Sequence, residues 1–405
     1  MATFEYGSAG TNLTGHIINV YSPEAIRETI RIDAPTLALF KASGKQITAG
    51  AGAYFEVRTK DVTSRGHRLD SGDLPTAGVD ESIQLVVKAK PFYSVLQFSN
   101  FAVELASGRP GSFVDMLTDQ FNRQLLEDGH FLNNDCFGDN TGVLATVTAT
   151  NGTTITFDDV SRLREGQSLD FLDVTGASAA TTTISNISWE NNTAVVASAT
   201  GVAVGDGAYP AGTQDGSSLG DLAYDGLTNS IATTGSYLGK ARSSYPAIKS
   251  NVIAVNGPID EDQMYRLKNR IGQKVGGMVS ASEYVLVTNP NQVRKWSEIQ
   301  YPRQQFGTGS LRLGTDGKMN WDGFEVVADF SCPSTTVFML KRSELKQFKT
   351  PNGDLQISQR GANAGFRFVS GKDAVQSVTR AYDNCVVTNP AACGALTALT
   401  DVANR

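Results

Sequence analysis

The stretch from Gln46 to Phe98 places the strongest constraint on how this chain folds. A polar segment with glycine and several charges, residues 64–73, lies near its middle. On either side, near the two ends, apolar residues recur at alternate positions as in β-strands; they are Tyr54, Val57, Ile83, Leu85, Val87 and Ala89. The pattern predicts a long two-stranded hairpin. Two strands alone cannot bury a face large enough to offset the lost chain entropy, so we expect this hairpin to need a neighbour.

The length and composition indicate a folded protein of several modules. The 405 residues suffice for two or three packed modules, if a module takes roughly 150 residues. Hydrophobic residues make up 40% and charged residues 19% of the chain, as in globular proteins rather than disordered or coiled-coil ones. Residues 1–45 contain Pro23 and Pro35, which interrupt any long helix. We expect this segment to form an arm.

Several classes of protein are disfavoured by the sequence. The amino terminus has neither the basic start nor the apolar run of a secretory signal, and no run of about 18 apolar residues predicts a membrane span. Cys136, Cys332, Cys385 and Cys393 stand singly, which favours reduced, buried thiols over a metal site or disulfide framework. The net charge of −6 is unlike that of a protein that grips nucleic acid through its phosphates.

A long helix is predicted directly after the hairpin. Ser112 and Asp115 are spaced as a capping box. Apolar residues then recur at every fourth position, namely Phe113, Leu117, Phe121 and Leu125. If the helix continues to Asn133, it is about 33 Å long. We expect it to serve as a structural spine.

The composition changes sharply between Leu144 and Gly212, where twelve threonines occur. Residues 146–157 and 184–197 each predict a strand, a tight turn and a second strand. The segment carries seven carboxylates against Arg162 and Arg164, so its net charge is 2 − 7 = −5. The pattern predicts a small, barrel-like β module. Because packed DNA would repel it, we expect the module to lie on the outside of any particle that holds DNA.

Beyond Gly220 the pattern becomes α/β. Pro258, Asp260 and Gln263 open a helix, with one face formed by Met264, Leu267, Ile271 and Val275. The run Asp260-Glu261-Asp262 fits a helix start better than a metal site, since acidic side chains are favoured there. A buried strand is predicted over 283–287, a helix bearing Val293, Trp296 and Ile299 after it, and later strands over 324–328, 336–340 and 374–388.

This order of elements resembles the major capsid proteins of tailed double-stranded-DNA phages. The segments that carry the resemblance are Ser244–Pro246, Tyr284–Pro290, Gly323–Asp329, Val337–Leu340, Gly371–Ala374, Tyr382–Val387 and Asn389–Ala392. The likeness as a whole spans roughly residues 46–143 and 221–393, while 144–212 departs from the minimal family pattern. None of these segments is a catalytic signature, and their value lies in their order.

The resemblance implies an α+β fold of the Hong Kong 97 type. Such a fold has an N-terminal arm, an extended β-hairpin loop, a spine helix and an axial α/β domain, here with an inserted small β-barrel-like domain. The expected boundaries are 1–45 for the arm, 46–98 for the extended hairpin, 99–143 and 346–393 for the peripheral domain with the spine helix, 144–212 for the β-rich insertion, 213–345 for the axial domain and 394–405 for a C-terminal tail.

The resemblance also implies a structural role without catalysis. Subunits of this family assemble as hexamers and pentamers into an icosahedral phage head around double-stranded DNA, in the cytoplasm of the bacterial host. The expected partners are other copies of the chain, portal, scaffolding or cement proteins, and packaged DNA contacted without sequence specificity. No membrane, metal or cofactor is implied.

The charged tip of the hairpin has two interpretations. Arg65, Arg68, Asp70 and Asp73 either pair with a neighbouring subunit or form a solvated loop. Exposed ion pairs contribute only ~0–1 kcal/mol, so the residue types alone do not decide between these interpretations.

Three alternative functions remain open at this stage. An encapsulin would share the fold but enclose an enzyme, and a neighbouring gene for a cargo enzyme rather than a terminase or portal would indicate it. The motif Gly216–Gly220 spells a serine-hydrolase elbow around Ser218, but His16, His67 and His130 all precede it. These histidines also lack the spacing of a helical zinc site. The threonine-rich module alone would fit a phage tail or adhesin protein.

Overall fold

The structure is a computed structural model with a mixed α/β architecture. It describes residues 34–47, 52–60, 64–67, 70, 73, 76, 78–100, 112–173, 175–212, 223–304, 320–351, 353, 355–357 and 367–400. Most of the predicted arm and the Ser218 motif lie outside these residues. The chain divides into two compact units. The smaller unit comprises Met1–Ala34, Pro91–Leu132 and Thr350–Asp383, and the larger unit comprises Pro35–Lys90, Asn133–Lys349 and Asn384–Arg405.

The helices and strands follow one another in a fixed order along the chain. They are β1 (Lys41–Ala42), β2 (Ala53–Lys60), β3 (Glu81–Val87), β4 (Lys90–Ser99), α1 (Ser112–Asp135), β5 (Ala145–Asn151), β6 (Thr154–Phe157), β7 (Ser168–Leu172), β8 (Ser178–Ser188), β9 (Thr193–Val196), β10 (Gly207–Pro210), α2 (Leu227–Ser230), β11 (Ser236–Tyr237), β12 (Lys240–Ala241), β13 (Asn251–Gly257), α3 (Glu261–Val275), β14 (Tyr284–Thr288), α4 (Pro290–Gln304), β15 (Asn320–Trp321), β16 (Phe324–Ala328), β17 (Val337–Lys341), β18 (Leu345–Lys349), β19 (Gln356–Ile357), β20 (Arg367–Phe368), β21 (Ala374–Val387) and β22 (Gly394–Leu399). Short 3₁₀ turns lie at Leu37–Leu39, Pro246–Ile248, Arg342–Glu344 and Pro390–Ala392.

The smaller unit is a sheet that packs on the predicted spine helix. Strands β4, β19 and β20 all pair with β21, and the β19 and β20 pairings are antiparallel. Helix α1 packs on one face of β4, where the Phe92 and Phe131 rings lie 5.5 Å apart. On the same face, the Gln124 side-chain amide donates a hydrogen bond of 2.9 Å to the Ser94 hydroxyl. The predicted helix is confirmed and extends two residues beyond Asn133.

The larger unit contains a six-stranded sheet in the order β13-β22-β17-β14-β16-β15. Strand β14 is an inner strand, paired with β16 on one side and β17 on the other, and it is buried at every position. Residues from α3 and α4 pack with the sheet in one apolar core that includes Trp296, Trp321 and Phe324. The strands and helices predicted for this part of the sequence are confirmed.

The predicted start of α3 is confirmed, but its end differs from the prediction. Asp260 caps the helix, and its Oδ1 accepts the Glu261 N–H at 2.7 Å. Met264, Leu267 and Ile271 are buried as predicted. Val275 is 43% exposed, contrary to its expected place on the same face. The reason is that the helix ends there, with Gly276 in the left-handed conformation that glycine adopts without strain.

The threonine-rich segment forms a closed barrel of strands in the order β10-β5-β6-β9-β8-β7, as predicted. Its interior is apolar and includes Ile155, Phe157, Leu169 and Phe171. Most of its carboxylates accept backbone hydrogen bonds at turns and strand ends, as Asp158 does from Thr146. The others that do so are Asp159, Glu165, Asp170, Asp173 and Asp206. The acidic composition is thus used locally to close turns.

A buried polar network fixes the segment that leads into β1. Asp329, 3% exposed, accepts hydrogen bonds from the Thr36 hydroxyl at 2.5 Å and from the Asn133 amide at 2.9 Å. The Asn133 Oδ1 in turn accepts the Leu37 N–H at 2.8 Å, and the Ser331 N–H donates to Asp329 Oδ1. A buried carboxylate is tolerated because donors surround it.

The end of the chain differs from the expected C-terminal tail, 394–405. Strand β22 lies inside the six-stranded sheet, parallel to β13 and antiparallel to β17. Ala395 and Leu396 are fully buried. The apolar residues of this short segment complete the sheet core, so the expected axial domain, 213–345, takes an inner strand from beyond its predicted boundary.

Candidate assembly surfaces

The predicted hairpin exists as a two-stranded ribbon whose base is anchored in its own subunit. Antiparallel pairing of β2 with β3 places Ala53, Phe55 and Val57 opposite Val87, Leu85 and Ile83. These residues form one face and pack against Tyr237, Ile248, Phe348 and Val386 in a common core. The hairpin was expected to need a neighbour, and for its base that neighbour is the core of its own subunit. Tyr54, predicted as part of the apolar set, lies on the other face and is 39% exposed.

The ribbon is also shorter than the predicted range, 46–98. Residues Lys90–Ser99 form β4, which pairs with β21 rather than with β2. The alternating pattern of this segment predicts a strand correctly, but such a pattern does not identify the partner strand. The pairing is decided by a segment nearly 300 residues later in the chain.

Burial fades along the ribbon away from its base. In β2, Ala53 and Phe55 are buried, whereas exposed and half-buried positions alternate from Glu56 to Lys60. Two exposed cross-strand ion pairs hold the outer half, Arg58 with Asp80 at 3.4 Å and Lys60 with Glu81 at 2.8 Å. Val79, just before β3, is 79% exposed. Exposed pairs contribute only ~0–1 kcal/mol each, so the contacts among the described residues add little stability to the outer half.

Three of the four charged residues proposed at the tip are among the residues that the structure describes. Arg65, Asp70 and Asp73 are exposed. None of the three forms an ion pair with another described residue, whereas Arg68 lies outside the described part of the chain. The structure therefore places three of them at a free end of the ribbon and does not bring them together into a site.

A second exposed surface lies on the smaller unit, on the face of β4 that points away from α1. Tyr93 is 58% and Val95 57% exposed. The Tyr93 ring meets the Tyr382 ring edge to face, with centroids 5.9 Å apart. The Arg380 guanidinium lies 5.5 Å from the Tyr382 ring centroid. Apolar and aromatic groups grouped in this way are typical of interaction surfaces. This surface was not predicted from the sequence, because the residues of β4 were assigned to the hairpin.

The chemistry expected of an enzyme does not converge in the described residues. His67 is exposed and His130 is buried, and Ser218 lies outside the described part of the chain. Among the residues that the structure describes, no group of three His, Cys, Asp or Glu side chains could hold a metal ion. All four cysteines are buried thiols, as predicted. Burial raises the pKa of Cys332 well above its usual value and that of Cys393 to about 12, which makes both unreactive.

None of the helices in the described part of the chain is long and apolar enough to cross a membrane.

Comparisons with known proteins identify the fold. No protein-family model matches the sequence, and no curated protein matches it. A chain of the cyanophage A-1(L) capsid asymmetric unit matches with a TM-score of 0.55 at 12% identity, covering 94% of this chain and 96% of that one.

Two further solved structures match at slightly lower similarity. One is the holo-SrpI encapsulin complex of Synechococcus elongatus PCC 7942, with a TM-score of 0.49, 10% identity and 98% coverage of both chains. The other is the capsid of a native GTA particle, with a TM-score of 0.49, 11% identity and coverage of 97% of this chain and 99% of that one. At these scores neither match decides between a phage head and an encapsulin compartment. On the strength of the cyanophage match and the element order, the chain has the fold of a phage capsid protein, and the resemblance drawn from the sequence is confirmed at the level of the fold.

Proposed function

We propose that this chain is the major shell subunit of a tailed phage. It assembles as hexamers and pentamers into an icosahedral head that encloses double-stranded DNA. The observation that carries the proposal is the ribbon formed by β2 and β3, whose base is built into the subunit and whose outer half is exposed. Portal, scaffolding or cement proteins join the same particle, which is assembled in the cytoplasm of the host.

The outer half of the ribbon is stabilised by another copy of the chain. An extended strand pair with so little burial gains stability when it lies on a neighbouring surface. The exposed Tyr93 and Val95 face is a suitable acceptor, because burying it removes apolar area from water at about 25 cal/mol per Å². One such contact is modest, but a closed shell repeats it around every symmetry axis.

The charged tip fixes the position at which the ribbon docks on the neighbouring subunit. Arg65, Arg68, Asp70 and Asp73 pair with charged groups of the neighbouring subunit, and they select the docking position more than they add affinity. Because exposed pairs are screened by salt, the tip contributes more to the rate of assembly at low ionic strength than to the stability of the finished shell.

Three matched substitutions test the proposal on the full-length chain. Val79→Asp on the ribbon and Val95→Asp on the β4 face each place a charge in the proposed contact, whereas Val204→Asp places one on the barrel. All three valines are more than half exposed, at 79%, 57% and 66%. We expect V79D and V95D to keep the wild-type circular dichroism spectrum but to remain unassembled. V204D should assemble into shells that are visible in negative-stain images.

Three other outcomes would contradict the proposal. Closed shells formed by V79D and V95D as readily as by the wild type would show that neither surface is buried between copies. Small particles from the wild-type chain under every condition, including in phage lysate, would count against a shell subunit altogether. Shells that contain a protein cargo and no nucleic acid would replace the phage head by an encapsulin compartment.

A further inference from the structure

Helix α3 carries a row of cations along its exposed side. Arg266, Arg270 and Lys274 are all exposed and recur at every fourth residue. Side chains at this spacing lie above one another on one side of a helix. The row therefore runs along one stripe, about 12 Å long at ~1.5 Å per residue. We call these three residues and Lys249, which lies beside Lys274, the basic stripe.

Backbone carbonyls hold two of these side chains in place. The Arg270 guanidinium donates to the Val252 carbonyl of β13 at 3.4 Å. The Lys274 ammonium donates to the Lys249 carbonyl, which places two lysine charges close together. Partial burial of the ammonium group, and after it the positive charge of Lys249, lower the pKa of Lys274. The stripe is thus an ordered concentration of positive charge.

Other cations of the six-stranded sheet and its two helices pair with carboxylates, whereas those of the basic stripe do not. Lys268, which lies on another side of α3, pairs with Asp322 at 2.6 Å. The others with carboxylate partners are Arg294, Lys295, Lys341 and Arg342. Among the described residues, no carboxylate lies within 4 Å of Arg266, Arg270, Lys274 or Lys249.

Intrasubunit stability does not account for the arrangement. Like charges four residues apart destabilise a helix. A cation near the end of a helix is favoured by the helix dipole, which accounts for Lys274 but not for Arg266 in the second turn or for Lys249 outside the helix. Exposed cations that lie close together with no carboxylate within 4 Å form a suitable site for an external anion.

We propose that the basic stripe binds the phosphate backbone of double-stranded DNA without reading its sequence. The choice of DNA as the polyanion rests on the proposed function, whereas the anion site itself rests on the charges. The acidic barrel of a second copy is a poorer partner, because six of its seven carboxylates already accept hydrogen bonds within the barrel. In a shell, the stripe faces the enclosed DNA.

The binding of short duplexes to the full-length chain tests this inference. The probes are two 30-base-pair duplexes of unrelated sequence, followed by fluorescence anisotropy at several salt concentrations. We expect equal affinity for both, with log K falling against log salt by about 0.9 for each phosphate contacted, so by roughly 3 to 4 for four cations. The triple variant Arg266→Gln, Arg270→Gln, Lys274→Gln binds at least tenfold more weakly and has a slope near −1.

A matched variant removes three paired cations instead, as Arg294→Gln, Lys295→Gln and Lys341→Gln. We expect this control to bind DNA within twofold of the wild type. An equal loss in the control would reduce the effect to net charge and overturn the inference, as would wild-type affinity in the stripe variant. Lys249→Gln lies outside the helix and, if the triple variant fails to fold, still shows a several-fold loss. Tighter binding of polyglutamate than of DNA at equal charge concentration would identify an acidic protein as the partner instead.

Failure of the DNA-binding inference can be distinguished from failure of the shell proposal. A stripe variant that forms shells but does not bind DNA supports both ideas. Wild-type shells with no measurable DNA affinity defeat the stripe alone. DNA binding by a chain that never forms shells defeats only the shell.

Discussion

At the scale of single residues, Asp128 in α1 shows how burial sets the chemistry of this fold. Its side chain is buried, at 6% exposure, and Oδ2 has no hydrogen-bond donor among the described residues. Burial raises its pKa to about 6, and a hydrogen bond from Ser94 only partly offsets this. A carboxyl group in such a place is held mainly in its neutral form at mildly acidic pH.

This gives a pH dependence of known sign. The folded chain keeps a proton on Asp128 that the unfolded chain loses near pH 4, so the free energy of unfolding falls as pH rises from about 4 to about 6 and is level above that. Asp128→Asn removes this slope and stabilises the unassembled chain at pH 7.5 by roughly 1–2 kcal/mol. Urea unfolding at pH 4.5 and 7.5 measures it. Glu127→Gln, at an exposed neighbour, retains the slope, and a D128N chain with the wild-type slope contradicts the assignment.

Residue-level patterns predicted the local elements because each depends on nearby positions. The spacing of Met264, Leu267 and Ile271 identified the buried side of α3, and Asp260 identified its start. The network around Asp329 was not predictable, because Thr36 and Asp329 are 293 positions apart. Nothing in the local sequence of either residue indicates that the two will meet.

At the scale of elements, the ribbon shows that an alternating sequence pattern predicts strands but not their partners. Alternation predicted β2, β3 and β4 as strands, but it assigned β4 to the wrong partner. The interior face of a strand depends on register, and register depends on the distant residues that cover it. The exposed β4 face with Tyr93 and Val95 was missed for the same reason. That face is half of the proposed assembly contact.

The anchored base of the ribbon makes a stability prediction. Leu85 is fully buried among Phe55, Tyr237 and Phe348, so Leu85→Ala leaves a cavity and lowers the free energy of unfolding by about 2–5 kcal/mol. Val79→Ala, at an exposed position on the same ribbon, changes it by less than about 0.5 kcal/mol. Chemical denaturation of the unassembled chain compares the two. Equal, small effects would mean that the ribbon is not anchored in its own subunit.

At the scale of the whole molecule, the barrel is contiguous in sequence and closes on itself. The chain enters through β5 and leaves through β10, and these two strands pair, with Ala145 opposite Ala208. Neighbouring strands lie about 5 Å apart, so the two points of attachment to the rest of the larger unit are adjacent. Its contacts with the rest of that unit include an ion pair between Arg162 and Asp135 with an N–O distance of 3.9 Å. The composition change predicted the module. The closed pairing explains how the chain accommodates it as an insertion between α1 and α2 in the sequence.

This geometry predicts that the barrel can be removed without unfolding the remainder. Replacing residues 146–207 by a two-residue Asn-Gly turn joins Ala145 and Ala208, which lie opposite one another. We expect the shortened chain to keep a cooperative thermal transition and to form shells, and its net charge to change from −6 to −6 − (−5) = −1. Residues 144–212 expressed alone should also unfold cooperatively, because their apolar core is complete within that range. Calorimetry of both pieces and negative-stain images of the shortened chain measure this. If the shortened chain is unfolded, or if the isolated segment melts without a transition, the barrel is part of the main core and not an independent module.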